Sequence, residues 1–339
     1  MEFKRIAVDT SKSVFTLHGV DEQGRPILRQ DLTRAQFEKF LGKISPTEVV
    51  LEACGSSHHW GRVAQGFGHT VRLIPPQYVK PFVKRGKNNR NDAEAIGEAA
   101  SRPTMRFVPV RSAETQAEAM DLSARDQLIR QRTQLVNAVR GHAAEFGVIA
   151  AKGISQVEPL LKKIAETDMP QAAKQTLAQL GRVIMQLDAQ LTEIDQRLTT
   201  QHKTHPVSQR LAAIPGVGPL TALTVALKVD ADQFESARHF AAWLGLTPKE
   251  RSTGSRQSLG GISRAGNERL RQLLVVGAMA VIRHAKPGSK TASPWLLQLL
   301  ERRPRKLAAV ALANKMARTA WAMMTSGEAW RMPKASKVA

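Results

Sequence analysis

The first hundred residues alternate short apolar runs with turn signals, and this pattern is typical of strands with helices between them. The turn signal at residues 21–24 separates two of the runs, and Pro75-Pro76 ends the last one. Predicted strands cover 4–9, 13–20, 48–52 and 70–74, with another starting at Pro26, and predicted helices cover 33–43, capped by Thr33, and 57–67. Strands first, then strands alternating with helices, predict an α/β domain with a mixed sheet.

From about residue 113 the pattern changes to long helices. Seven apolar residues follow one another in steps of three and four, namely Leu177, Leu180, Ile184, Leu187, Leu191, Ile194 and Leu198. Such a seam predicts a coiled coil. The preceding helix has a weaker stripe between Leu128 and Phe146. The two helices can form an antiparallel hairpin within one chain, or the seam can join two chains.

These patterns predict three parts: an α/β domain at 1–110, a coiled-coil stalk at 111–204 and an all-α region at 205–339. In the last part, residues 211–222 predict a helix-hairpin-helix with Gly216 and Gly218 in its turn. Glycines there would let backbone N–H groups approach a phosphate at the start of the next helix. Contacts of this kind hold a backbone without recognising bases. A tight turn between packed helices is the alternative.

The charge of the chain changes the picture. Its 339 residues contain 50 Lys and Arg against 29 Asp and Glu, a formal net charge of +21. Residues 264–339 alone contain 15 Lys and Arg against 3 Glu. This excess predicts a polyanionic partner, nucleic acid first. An anionic membrane surface is the alternative, but neither an apolar stretch long enough to span a bilayer nor a signal peptide is found. We therefore expect no membrane partner.

The single cysteine, Cys54, excludes an intrachain disulfide and a cysteine-rich metal cluster. A reducing, cytoplasmic setting is the resulting default prediction.

Three carboxylates stand where elements begin or end. Asp9 closes the first strand, Glu52 closes the Val49-Val50-Leu51 strand, and Asp92 opens a predicted helix. Such positions can converge on one edge of a sheet. Carboxylate oxygens are the ligands that Mg²⁺ prefers, and two metal ions can hold the attacking and leaving oxygens of a phosphodiester. Taken singly, a strand-end Asp is often a turn former, and Asp92 could be a helix N-cap. Together they predict a site for Mg²⁺ or Mn²⁺.

Three motifs carry a resemblance: Ile6-Ala7-Val8-Asp9, Leu51-Glu52-Ala53-Cys54-Gly55, and the segment 87–96 that begins at Lys87. In this order they resemble the DEDD transposases of bacterial insertion sequences, the one-ten and eleven-eleven families, which are related to pilin-gene invertases. The resemblance implies a RuvC-like, ribonuclease-H-like first domain.

The family's third motif carries two Asp residues, and this chain departs from it at one of them. Asn89 stands at the first Asp position, whereas Asp9, Glu52 and Asp92 match the others. Asn89 keeps a carbonyl oxygen as a ligand but lacks one negative charge.

A Ser- and Gly-rich stretch at 244–267 contains a second candidate for chemistry. A hydroxyl in a cationic loop could attack a phosphodiester, although such loops are usually rich in Ser and Gly for flexibility. The stretch resembles the serine motif of the family's C-terminal serine transposase domain, which implies that Ser252 is the nucleophile and that Ser255 is displaced from the motif. The predicted nucleic-acid contacts are Gly216, Gly218, Arg251, Arg256, Arg264 and Arg269.

The resemblance implies a recombinase that cuts and exchanges DNA strands through a phosphoserine intermediate, with Mg²⁺ or Mn²⁺ as cofactor. It implies a composite site, with the carboxylates of one subunit and Ser252 of another, in a dimer or tetramer. It also implies a structured guide (bridge) RNA that pairs with target and donor DNA. Two alternatives stay open. A RuvC-like junction endonuclease using water needs the carboxylates but not Ser252, and a non-catalytic nucleic-acid-binding scaffold needs neither.

Overall fold

The structure, a computed structural model, describes residues 2–84, 88–254, 256, 258–289 and 293–331. The chain divides into two compact units, Met1–Ala117 and Glu118–Ala339. The segments predicted as stalk and basic region both belong to the second unit. Lys87 and Ser255, named above, lie outside the described residues.

A five-stranded mixed sheet forms the centre of the first unit. Its strands are β1 (Arg5–Thr10), β2 (Val14–Val20), β3 (Pro26–Thr33), β4 (Glu48–Glu52) and β5 (Thr70–Ile74). The spatial order is β3-β2-β1-β4-β5, in which β1, β2 and β3 pair antiparallel while β1-β4 and β4-β5 pair parallel. The predicted mixed sheet is therefore confirmed, and it agrees with the ribonuclease-H-like fold that the resemblance implies.

Helices cover both faces of this sheet. They are α1 (Arg34–Leu41), α2 (Ser57–Gly66) and α4 (Asn89–Ala100), with the shorter α3 (Pro76–Val79) and α5 (Ala113–Glu118). Thr33 caps α1 as predicted, because its side chain accepts a hydrogen bond from the backbone N–H of Gln36, whose side chain accepts one from the backbone N–H of Thr33. This reciprocal arrangement is a capping box, and it fixes the point at which β3 gives way to the helix.

The two faces of the sheet bury different side chains, because successive strand residues point to opposite faces. The face covered by α1 and α2 is formed by Ile6, Val8, Phe15, Leu17, Val49 and Leu51. On the opposite face Ala7, Val50 and Ile74 pack with the alanines and Ile96 of α4. Asp9 and Glu52 follow Ala7 and Val50 by two residues, so both belong to the α4 face.

The second unit is helical apart from one hairpin in its described part. Its elements are α6 (Met120–Ala144), α7 (Val157–Glu166), α8 (Gln171–Thr204), α9 (Pro206–Leu211), α10 (Pro219–Lys228), α11 (Ala237–Trp243), β6 (Pro248–Glu250), β7 (Leu259–Ile262), α12 (Glu268–Arg283), α13 (Pro294–Arg302) and α14 (Arg305–Ser326). Helices α9 to α14 share one hydrophobic core. None of the described helices has the length and apolarity needed to cross a bilayer.

The long helices α6 and α8 pack together as an antiparallel pair. Arg197 of α8 binds Asp121 near the start of α6 at 2.8 Å, and Arg132 farther along α6 binds Asp188 earlier in α8 at 2.5 Å. The most deeply buried seam residues, each at most 5% exposed within the single chain, are Leu177, Ile184, Leu191, Ile194 and Leu198. Of the two alternatives for the seam, the structure therefore supports the hairpin within one chain. Coiled-coil geometry and assembly of several chains stay predictions.

Candidate active site

Two of the predicted carboxylates come together through the register of the sheet. Strands β1 and β4 are parallel neighbours in which Val8 pairs with Leu51. The next residues along are Asp9 and Glu52, so they stand level on adjacent strands, which lie roughly 4.8 Å apart. Both side chains are half-buried. The sheet therefore presents a pair of carboxylates towards α4.

Helix α4 supplies the third carboxylate. It begins at Asn89 and not at Asp92, because the side chain of Asn88 caps it by accepting a hydrogen bond from the backbone N–H of Asn91 at 2.8 Å. Asp92 therefore lies in the first turn, directly before the fully buried Ala93. The alternative that Asp92 is the N-cap of this helix is wrong. The helix packs on β1, β2 and β4.

The three carboxylates influence one another electrostatically. Burial raises the pKa of Asp9, and the charge of Asp92 raises this pKa further. Burial likewise raises the pKa of Glu52, followed by repulsion from Asp9 and Asp92. A concentration of negative charge at a half-buried position favours protonation, and a bound divalent cation would relieve it.

The donor set fits a hard cation, although the side chains do not form a preformed cage. Among the described residues, no group of three His, Cys, Asp or Glu side chains is gathered closely enough to ligate an ion as it stands. The residues that converge are nevertheless oxygen donors on a shared face, which are the ligands of Mg²⁺ and Mn²⁺. Two features therefore support the predicted metal site: the carboxylates share one face, and their negative charges repel one another.

A fourth carboxylate, Asp31, lies in the same cross-strand row and was missed by the sequence analysis. The register pairs Asp9 with Thr16 and Thr16 with Asp31, and the Thr16 hydroxyl donates to Asp31 Oδ1 at 2.8 Å. Asp31 and Asn89 line one cavity of about 340 Å³. A β-bulge between Gly19 and Val20 shifts this register by one residue. Counting back from the turn at 21–24 would therefore have paired Thr16 with Gln30, and the sequence carried no signal for the row.

Ion pairs fasten the start of α4 to the sheet. Glu94 binds Lys84 Nζ at 2.5 Å and Arg29 Nη2, on β3, at 3.4 Å. The hydrogen bond from Lys84 is the largest cause of the lowered pKa of Glu94. Because Glu94 is two residues after Asp92, these contacts restrain the turn that carries the third carboxylate.

Ser252 lies in the second unit, on the hairpin formed by β6 and β7. Its hydroxyl donates to Glu250 Oε1 at 3.1 Å and accepts from the backbone N–H of Ser258 at 3.3 Å. A hydroxyl bonded to a carboxylate is the arrangement of an activated nucleophile. The sequence analysis missed Glu250, although residues i and i+2 on an extended strand share one side.

The base of this hairpin is tightly anchored. Gly266, with φ +67°, lies so close to Trp243 that an added Cβ would overlap the Trp243 carbonyl oxygen. Arg271 of α12 also donates to the carbonyl oxygens of Leu244 and Ala265, at 2.9 and 2.8 Å. The segments entering and leaving the hairpin are therefore held to α11 and α12.

The predicted arginines differ in how their charge is used. Arg269 Nη2 lies 2.6 Å from Asp126 Oδ1, so its charge is shared with a carboxylate of α6. Arg251, Arg256 and Arg264 are exposed and form no ion pair with the residues that the structure describes. These three cations, on the hairpin or just beyond it, keep their charge available for an anion.

The two predicted turn glycines lie between α9 and α10 but have different surroundings. Gly216 has φ +87°, and a Cβ added to it would lie 2.8 Å from the carbonyl oxygen of Gly277 in α12. The structural alternative, a tight turn against a packed helix, therefore accounts for Gly216. Gly218 is exposed, has open space around it and is the N-cap of α10, so its position suits a phosphate contact.

This contrast predicts unequal effects of two matched substitutions. Gly216→Ala is expected to lower the free energy of unfolding by at least about 2 kcal/mol, because it adds backbone strain to a steric overlap. Gly218→Ala, at φ −75°, is expected to cost less than about 1 kcal/mol. Urea unfolding of the purified variants measures both. Equal losses would contradict the packing role of Gly216.

Comparison with known proteins finds transposases that match nearly the whole chain. A transposase model, for the DEDD domain of the IS110 type, matches residues 6–147, and the model described as "Transposase IS116/IS110/IS902 family" matches residues 208–293. A transposase of Sinorhizobium fredii is 52% identical over 330 residues, covering 96% of this chain and 85% of the relative. A family 20 transposase of Pseudomonas aeruginosa is 44% identical, covering 98% and 99%.

A third relative carries the name of an insertion sequence. The transposase for insertion sequence element IS1111A of Coxiella burnetii is 40% identical over 334 residues, covering 97% of this chain and 92% of the relative. With near-complete coverage of both chains and matches to both family models, the chain belongs to the IS110 family of DEDD transposases.

Proposed function

We propose that this transposase cuts and exchanges DNA strands at the ends of an insertion sequence, in a metal-dependent reaction that passes through a phosphoserine intermediate. The observation that carries the proposal is the presence of Asp9 and Glu52 on one face of the sheet, with Asp92 of α4 close enough to raise the pKa of both. DNA as the substrate follows from the family.

Asp9, Glu52 and Asp92 would hold Mg²⁺ or Mn²⁺, with the amide oxygen of Asn89 as a neutral ligand. When bound, the cation offsets the negative charge that builds up on a reacting phosphate. The protein's own contribution is to hold the oxygens on two adjacent strands and the first turn of α4, restrained by the ion pairs of Glu94.

Ser252 is the proposed nucleophile, and Glu250 is proposed to accept its proton. The Ser252 oxygen attacks the scissile phosphorus, the hydroxyl proton passes to the Glu250 carboxylate, and the bond from phosphorus to the leaving deoxyribose oxygen breaks. The leaving oxygen takes up a proton, so the DNA becomes a phosphate ester of Ser252. Attack by a hydroxyl of the exchanging strand regenerates the serine. Arg251 and Arg256 stabilise the charge that develops on the phosphate oxygens.

The partners proposed beyond DNA are a structured guide RNA and further copies of the chain, as a dimer or tetramer. The net charge of +21 supports two nucleic acids at once. The endonuclease alternative, with water as nucleophile, requires only the carboxylates. The hydrogen bond from Ser252 to Glu250 favours the serine route.

The test is cleavage of a supercoiled plasmid carrying candidate element ends, with Mg²⁺ and the RNA that copurifies with the protein. We expect cleaved DNA that partitions with protein into phenol and is released by protease. Cleavage with free ends would favour the water-using endonuclease, and binding without cleavage would favour the scaffold.

Restoring the family's aspartate is expected to strengthen the metal site. Asn89→Asp adds a carboxylate at the start of α4, one helical turn before Asp92, and should raise Mg²⁺ affinity about tenfold and recombination with it. Calorimetric titration with Mg²⁺ measures the affinity. The control is Gln36→Glu, which adds the same charge in the first turn of α1, on the opposite face of the sheet. Equal affinity and activity before and after Asn89→Asp would show that Asn89 is a fully adequate ligand.

A further inference from the structure

The second unit contains a cavity of about 990 Å³ that the proposed reaction does not use. One face of α14 forms a wall, while α13, the base of the hairpin and the residues after α14 complete it. Its lining includes Leu246, Ile262, Trp295, Lys315, Arg318 and Trp330. The space is large enough for a nucleotide-sized ligand.

Two indole rings border this cavity. Trp295 of α13 and Trp330, four residues beyond the end of α14, are both half-buried and pack against the hydrophobic core while lining the space. Trp321 differs from them, because its indole N–H donates to the Ala231 carbonyl oxygen at 3.0 Å and the residue does not line the cavity. Flat aromatic faces beside an open space suit a ligand that stacks.

Cationic side chains stand beside the aromatic faces. Lys315 Nζ lies 4.5 Å from the centroid of the Trp295 ring, and Arg318 follows one helical turn later. Burial lowers the pKa of Lys315, and the charge of Arg318 lowers it further. The carboxylate of Glu328 also lines the cavity, but no carboxylate among the described residues forms an ion pair with Lys315 or Arg318. Three cationic side chains, those of Lys315, Arg318 and Arg331, line the cavity against one carboxylate, so it combines aromatic rings with an excess of positive charge.

The cavity also adjoins the segment that carries Ser252. Pro248 and Ile262, which pair at the base of the β6–β7 hairpin, both line it. Ser252 follows Pro248 by four residues, a span of roughly 13 Å in an extended strand. A strand bound at Ser252 could therefore reach the cavity within a few nucleotides.

We propose that this cavity binds one unpaired nucleotide of a nucleic-acid strand, with its base stacked on Trp295 and Trp330 and its phosphate held by Lys315 and Arg318. An extruded base offers the flat apolar face and the adjacent negative charge that the cavity complements. A purely apolar occupant would leave the excess of positive charge in the lining uncompensated. The inference rests on the proposed function only in that the chain binds nucleic acid.

Fluorescence of 2-aminopurine tests the proposal in the full-length protein. The probe is a single-stranded DNA oligonucleotide with 2-aminopurine moved through successive positions, and an RNA of the same sequence forms the second arm. Both are measured without divalent metal in the Ser252→Ala background, so that failure of cleavage and failure of base binding are distinguishable. We expect quenching at one position, and the arm that shows it identifies the nucleic acid. Quenching at no position in either arm would overturn the proposal.

Substitutions then assign the quenching to the cavity. Trp295→Ala should remove it and weaken binding about 5- to 150-fold, the range for loss of one base stack. An abasic site at the quenched position should weaken binding to the parent protein equally, but add no further loss in Trp295→Ala. Trp321→Phe is the aromatic control and should leave quenching unchanged. Equal binding of abasic and intact strands by the parent protein would exclude a base in the cavity.

Substitutions of the two cationic residues provide a second test, which does not depend on whether a tryptophan variant folds. Lys315→Gln and Arg318→Gln should each weaken binding and reduce its dependence on salt, because a phosphate contact is lost. Lys306→Gln is the matched control, since Lys306 is exposed on the same helix and does not line the cavity. If Lys306→Gln weakens binding as much as Lys315→Gln, the effect is one of general charge, and the phosphate site is wrong.

Discussion

Ser252→Ala is expected to abolish covalent protein–DNA adducts and recombination while leaving DNA and RNA binding intact. The reason is that the adduct is an ester of the Ser252 oxygen, which the substitution removes. The hydroxyl is held between Glu250 Oε1 and the backbone N–H of Ser258, and both of these groups stay in place in the variant. Phenol partitioning of plasmid DNA with and without protease measures the adduct, and a filter-binding assay measures affinity.

Two further variants separate the serine from its surroundings. Glu250→Gln keeps the shape of the side chain but cannot take up the proton, and should slow adduct formation by about 10²- to 10⁴-fold. Ser258→Ala keeps the backbone N–H that bonds Ser252 and should remain active. An adduct that survives Ser252→Ala would transfer the reaction to another serine, first Ser255. Cleavage without any adduct would establish water as the nucleophile.

Asp9→Asn is expected to lower Mg²⁺- or Mn²⁺-dependent cleavage by at least about 100-fold. This loss exceeds the one expected for mutating a residue that only hydrogen-bonds to a metal ligand. DNA affinity should stay equal or rise, because a charge that repels phosphate is removed. The amide has almost the shape of the carboxylate, so the β1–β4 pairing is preserved. Plasmid cleavage over a range of metal concentrations measures the effect.

Controls distinguish the metal site from the net charge. Glu38→Gln removes one charge from the exposed side of α1, on the other face of the sheet, and should leave cleavage unchanged. Asp31→Asn removes the carboxylate that shares a cavity with Asn89, and an intermediate loss would show that Asp31 supplies part of the charge that Asn89 lacks. Cleavage at the parent's rate by Asp9→Asn would rule out Asp9 as a ligand.

The strands of the sheet could be predicted from the sequence because the signals that mark them lie within short segments of the chain. Alternation of apolar and polar residues marks the strands, and the capping box at Thr33 marks the start of α1. Asp9 and Glu52 could be recognised because each directly follows a run of apolar strand residues, although β1 continues one residue past Asp9. The start of α4 was misplaced, since Asp92 attracted attention as a carboxylate although Asn88 performs the capping.

What the sequence did not reveal depends on pairing between distant residues. Asp31 joins the carboxylates only through the register of three strands, and Gly216 meets Gly277 only because α12 packs on the turn. The leucine seam was correctly recognised as a buried stripe, but an a/d spacing has the same form whether its partner is the same chain or another. The ion pairs between α6 and α8 support the hairpin within the chain, while assembly of several chains stays a prediction.

Because the base of the β6–β7 hairpin is anchored, the length of the hairpin sets how far Ser252 lies from that base. Because Gly266 is pressed against Trp243 and Arg271 binds the carbonyl oxygens on both sides, the start of the hairpin cannot slide to compensate for a change in its strands. Inserting one residue into β6 and one into β7 would move Ser252 outward by roughly 3.4 Å. Two such pairs would displace it by about the distance between successive phosphates of a stretched strand. Changing the length of the hairpin would therefore shift the position at which the DNA is cut, without changing any residue that contacts DNA.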